Sequence, residues 1–94
     1  MINLMYFKAA WCGPCKSLSP MLTEVVNGLG NLPMITIDID ERPEMALQYG
    51  VQSVPTLIVV KDGAEAFRQS GLVTRGRLME VLRQFASAKQ VLNG

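Results

Sequence analysis

Hydropathy patterning over the 94-residue chain predicts an α/β fold: a four-stranded mixed sheet with helices on both faces, in the order βαβαββα. Three observations carry that prediction. Short apolar or β-branched runs alternate with segments whose apolar residues recur at helical spacing. A Lys61-Asp62-Gly63 turn joins the last two strand-like runs. Both cysteines fall in one run, Trp11-Cys12-Gly13-Pro14-Cys15, where the first strand-like run gives way to the first helix-like one. The length suits one domain, residues 1–94.

Each element has a local reason. Ile2 to Phe7 is apolar on both faces, as in a central strand covered on both sides. Leu18, Met21, Leu22, Val25 and Val26 keep helical spacing, so a helix is expected from about Gly13 to Val26, kinked at Pro20 and stopped at Asn27-Gly28. Met34 to Ile39 alternates and is rich in β-branched residues, which predicts a second strand. Asp40 offers an N-cap for a short helix from Arg42 to Tyr49, ended by Gly50. Thr56 to Val60 reads as a third, buried strand. Ala64 to Ser70, more polar, reads as a fourth strand at the sheet edge, after the hairpin turn. Thr74 caps a last helix with Leu78, Val81, Leu82, Phe85 and Ala86 in one stripe, and the tail should fray after about Lys89. A right-handed crossover makes the first two strands parallel. The second strand is left as an exposed edge, to be paired with another chain or protected by charge.

Composition narrows the chemistry. The net charge is +1, with basic residues dispersed, so neither a nucleic-acid nor a membrane surface is expected. Histidine is absent, which excludes His-based acid–base catalysis, Cys-His nucleophiles and His-containing metal sites. No stretch approaches the roughly 20 apolar residues of a membrane span, and a cytoplasmic location is expected. Two cysteines are too few for a secreted disulfide scaffold.

Two thiols two residues apart can close a small disulfide and reopen it, storing two electrons. Cys12 is expected at or just before the first helical turn. There, free amides, including that of Cys15, and the helix dipole favour thiolate over thiol. Cys15, one turn inside, should be more buried and stay protonated until needed. Cys12 is therefore assigned as the nucleophile and Cys15 as the resolving thiol. Pro14 suits the first turn, where its missing donor costs nothing. The plainer alternatives are a structural disulfide or half of a tetrahedral metal site, which would need a second chain. Lys8 and Lys16 are candidate electrostatic aids to the thiolate, or simply solvated lysines. Asp38, Asp40 and Glu41 are better explained by capping and an exposed strand end than by a cation.

Together, Trp11-Cys12-Gly13-Pro14-Cys15-Lys16, Pro20, Val54-Pro55-Thr56 and Ser70-Gly71-Leu72 resemble the thioredoxin family over nearly the whole chain. Asp38-Ile39-Asp40, Tyr49-Gly50-Val51 and Lys61-Asp62-Gly63 fit in register. The resemblance implies a thioredoxin-like fold that lacks the usual N-terminal strand and helix. It implies a reducing dithiol–disulfide oxidoreductase acting on protein disulfides, with Gly13 and Pro14 setting the poise. It further implies a cis Val54–Pro55 bond facing the cysteines and a docking surface of Trp11, Val54, Pro55, Gly71 and Leu72, with substrate pairing at Val54 as an added strand. Asp40 is implied to bond the Trp11 indole. A flavin-containing, NADPH-dependent thioredoxin reductase is the implied electron donor, the chain itself binding no cofactor or metal and acting as a monomer. The alternatives are a glutaredoxin-like protein recharged by glutathione, or a non-catalytic binding subunit using the same surface.

Three positions depart from the family pattern. Tyr6 stands where a buried Asp is usual, Thr36 where its Lys partner is, and Lys8 where a second Trp is. The family's proton-transfer route to the second cysteine therefore does not transfer. Tyr6 offers two readings: a hydroxyl near Cys15 in place of the missing acid, or, the one expected, a core residue whose hydroxyl is satisfied by water or backbone.

Overall fold

The structure, a computed structural model, describes residues 1–30 and 32–93, with side chains placed through residue 86. Seven elements follow in the expected order: β1 (Ile2–Lys8), α1 (Gly13–Leu29), β2 (Met34–Asp38), α2 (Pro43–Gln48), β3 (Thr56–Lys61), β4 (Ala64–Ser70) and α3 (Arg75–Asn93). They form one mixed sheet of order β2-β1-β3-β4. β1 runs parallel to β2 and antiparallel to β3, and β3 and β4 make the hairpin. Asp62 and Gly63, both at positive φ, close it as a two-residue turn.

The period of two along β1 sorts its side chains between two cores. Leu4 and Tyr6 join Leu18, Leu22 and Val25 of α1 and Leu78 and Leu82 of α3 on one face. Met5 and Phe7 join Ile37 and Ile58 on the other, beneath Met45 and Tyr49. That is why β1 reads as apolar throughout. Its C-terminal end carries the cysteine run out of the middle of the sheet.

Several boundaries differ from the expectations. α1 runs past Asn27-Gly28 to Leu29, because Leu29 still packs on the core and the left-handed cap is Gly30, whose N–H bonds the Val26 carbonyl. Asp40 does not cap α2. Asp38 organises that turn, its carboxylate accepting from the amides of Asp40 and Glu41 and its carbonyl from those of Glu41 and Arg42. α2 accordingly begins at Pro43, with no side-chain cap at Arg42. β2 stops one residue early and β3 extends one further, to Lys61. Thr74 does cap α3, its hydroxyl accepting from the Arg77 amide at 3.1 Å. The backbone of α3 continues to Asn93, past the fraying expected after about Lys89. Among the described residues, no helix is long and apolar enough to cross a membrane.

Candidate active site

Three chain segments meet where β1 ends. The first is the cysteine run. Cys12 is the N-cap of α1, its backbone extended, its amide bonded to the Ala9 carbonyl. Gly13 and Pro14 form the first turn, so the donor that proline lacks is one the helix would leave free anyway. The Cys15 amide, one turn on, donates to Cys12 Sγ at 3.1 Å. A sulfur thus occupies the capping position usually held by a Ser or Asp oxygen, at the positive end of a 17-residue helix. This is the arrangement expected from the spacing. The two sulfurs are joined as a disulfide.

The second segment is the turn before β3. The Val54–Pro55 bond is cis, as the resemblance implied. Thr56, buried, anchors this turn by donating to the Ser53 carbonyl at 2.8 Å and pairing with the Ser70 hydroxyl at 3.2 Å. The third segment follows β4. The Gly71 amide donates to the Pro55 carbonyl at 2.8 Å, binding the third segment to the second. Gly71 has φ +83° and open space where a Cβ would stand, so glycine is required by the backbone and the surface above it is unobstructed.

Burial divides the site. Trp11, next to Cys12 in the chain, and Leu72, next to Gly71, are 67% and 61% exposed and present large apolar surfaces. Trp11 is held by its indole N–H, which donates to Asp40 Oδ2 at 2.7 Å. Cys12 and Cys15 are 3% and 2% exposed, so the expected contrast between an exposed first and a buried second thiol is absent in this disulfide state. Ala9 shares a small core with the two cysteines, and Ile39 and Val54 pack against it.

On the inward side lies Tyr6. Its hydroxyl donates to the Cys15 carbonyl at 3.3 Å and pairs with the Ser19 hydroxyl at 2.7 Å. A pair of hydroxyls thus stands beside the second cysteine. Thr36, the neighbour of Tyr6 across the β1–β2 register, is exposed at the sheet edge. A Lys at this position would likewise stand exposed at the sheet edge rather than buried beside residue 6. Ser19 was missed in the sequence. Its signal was its place four residues after Cys15, on the helix face turned toward β1. Lys16 is exposed and Lys8 half-buried, and among the described residues neither has a side-chain hydrogen-bond or ion-pair partner. Among the described residues, no cluster of three or more Cys, Asp or Glu is placed to hold a metal ion.

A cysteine pair capping a helix beside a cis-proline turn, on this sheet, defines a thiol–disulfide oxidoreductase. Comparison with known proteins agrees. The family model described as Thioredoxin matches residues 1–84. Thioredoxin of Chlamydia trachomatis is 43% identical over 79 residues, 84% of this chain and 78% of that protein. Thioredoxin of Staphylococcus saprophyticus is 39% identical over 84 residues, 88% and 81% of the two chains. Among solved structures, Fasciola hepatica thioredoxin superposes with a TM-score of 0.81 at 30% identity, covering 88% of this chain and 79% of that one. Oxidised thioredoxin of Plasmodium falciparum gives 0.80 at 28%, covering 90% and 81%. The chain belongs to the thioredoxin family, and its activity is protein-disulfide oxidoreduction by dithiol–disulfide exchange. In general terms, the family's partners are disulfide-bearing proteins and a thioredoxin reductase.

Proposed function

We propose that this single 94-residue domain works as a cytoplasmic protein-disulfide reductase, with Cys12 as nucleophile and Cys15 as resolving thiol. The observation that carries the assignment is the Cys15 amide on Cys12 Sγ at the N-cap of α1. A thiolate formed at Cys12 keeps a charge-assisted hydrogen bond and faces the helix dipole; one formed at Cys15, inside the helix, has no such donor aimed at it. The Cys12 thiolate attacks one sulfur of a substrate disulfide. A Cys12–substrate bond forms, the substrate S–S bond breaks, and one substrate sulfur leaves as thiolate. The Cys15 thiol then loses its proton and attacks Cys12 Sγ. The Cys12–Cys15 bond forms, the mixed disulfide breaks, and the second substrate sulfur leaves. Two electrons pass to the substrate, and its two thiolates take up protons from solvent.

Trp11, Val54, Pro55, Gly71 and Leu72 form the docking surface. The open space over Gly71 and the exposed Trp11 and Leu72 side chains support that reading. An extended substrate segment lies along Val54 as an added strand. Gly13, Pro14 and Lys16 tune the pair. A flavin-containing, NADPH-dependent thioredoxin reductase returns the electrons, and the catalytic unit is one chain. The test is turnover of a protein disulfide with either thioredoxin reductase plus NADPH or glutathione plus its reductase. Turnover with the first donor and little with the second is expected. The reverse would make the protein glutaredoxin-like, and no turnover with either would leave only the binding-subunit reading.

A further inference from the structure

The sheet has two edges, and they are built differently. β4 is protected: it carries Glu65, Arg68 and Gln69, and its ladder with β3 is interrupted by a register shift at Val59/Val60. β2 is Met-Ile-Thr-Ile-Asp, with no register shift against β1 and no charge before Asp38. The Leu4 amide bonds the Pro33 carbonyl and the Ile39 amide bonds the Lys8 carbonyl, so residues 33, 35, 37 and 39 direct their main chain at β1. Met34, Thr36 and Asp38 consequently turn theirs outward. The Asp38 carbonyl is engaged by Glu41 and Arg42. Among the described residues, the N–H and C=O of Met34 and Thr36, plus the Asp38 N–H, have no hydrogen-bond partner. Between Met34 and Thr36 stands Ile35, 49% exposed.

We infer that β2 pairs with β2 of a second copy of this chain, antiparallel, about a two-fold axis through Ile35. In that register, Met34 of each copy exchanges both main-chain hydrogen bonds with Thr36 of the other. Only groups without a partner among the described residues are used. Ile35 meets its own counterpart in the close, non-hydrogen-bonded position, where apolar pairs stabilise a sheet. The charge pattern permits self-pairing: residues 32–37 carry no charge, and the two Asp38 side chains are carried to opposite ends of the paired segment. The result is a continuous eight-stranded sheet. A five-residue edge buries well under the ~1,200 Å² of a standard interface, so the dimer is weak and forms by mass action.

Sedimentation equilibrium of the whole chain under reducing conditions, from about 10 µM to about 1 mM, tests this, alongside amide exchange at both concentrations. The weight-average mass is expected to rise toward that of a dimer, and exchange at the Met34 and Thr36 amides to slow with concentration while β4 does not change. Ile35→Lys places two ammonium groups opposite each other on the axis. Thr36→Pro removes a donor that β1 does not use. Both variants should remain monomeric at about 1 mM, with β1 amide protection showing the sheet intact. A wild-type mass that stays monomeric, or a dimer that survives in either folded variant, overturns the inference.

Discussion

The two sides of the cysteine pair differ in kind. The outward side keeps the motif residues of the family: Trp11, tied to Asp40, Pro55, whose carbonyl accepts from the Gly71 amide, and the exposed Leu72. The inward side departs from it. A phenol and a Ser hydroxyl stand beside Cys15, and the Lys position is an exposed Thr on an edge strand. The contrast separates two requirements of disulfide exchange. On the reading proposed above, recognising a substrate and stabilising the attacking thiolate draw on surface and backbone geometry. Removing the proton of the resolving thiol depends on buried chemistry, and here a hydroxyl pair, not a carboxylate, sits behind it.

The sharpest way to break this division is at the sulfurs. Cys12→Ser should reduce disulfide turnover to background, measured with thioredoxin reductase and NADPH; appreciable turnover would remove the nucleophile assignment. Next in size is the inward side. Tyr6→Phe leaves the Cys15 carbonyl and Ser19 hydroxyl without their partner and should cost about 1–2 kcal/mol in denaturant unfolding. Docking is untouched, so KM for a protein disulfide should hold. A KM effect larger than the stability effect would show that the two sides are not separable. Tyr6→Asp puts a carboxylate beside Ser19 and should move the pH–rate profile of the resolving step, read by single-turnover kinetics across pH. A profile like that of the wild type would show that an acid at this position does not govern Cys15.

Smaller effects belong to the outward side. Leu72→Ser removes an exposed apolar contact and should raise KM for a protein disulfide a few-fold, about 1 kcal/mol, with stability unchanged within about 0.5 kcal/mol. The least effect is expected far from the site. Arg68 hydrogen-bonds Glu65 and holds its carboxyl below the usual carboxylate value. A carboxyl depressed by folding contributes stability above its unfolded pKa, about 4.3, and loses it as pH falls through the folded value. Acid unfolding of Glu65→Gln should therefore converge with that of the wild type below the carboxylate range, with only a slight deficit above it.

Much of this molecule was legible in the sequence, for identifiable reasons. The strands and their order followed from apolar runs and the Asp62-Gly63 turn, and the capping sulfur from the two-residue spacing of the cysteines. What escaped depended on tertiary partners. Leu29 extends α1 because it finds the core, a gain that outweighs Gly28 in the last turn. Asp38, not Asp40, ordered the turn into α2 because Asp40 was committed to Trp11, a contact 29 residues apart in the chain. Both cysteines are buried in a small core with Ala9, against which Ile39 and Val54 pack, and no local pattern brings these residues together. Ser19 was hidden because a lone serine in a helix ordinarily faces solvent.

The decisive measurement is mixed-disulfide trapping with a disulfide-bearing protein, comparing Cys15→Ser with Cys12→Ser and mapping the linked cysteine by peptide mass analysis. Substrate covalently held through Cys12 in the first variant, and none through Cys15 in the second, is the expected result. Capture through Cys15, or equal capture by both variants, would contradict the central claim that the α1 N-terminus makes Cys12 the attacking sulfur.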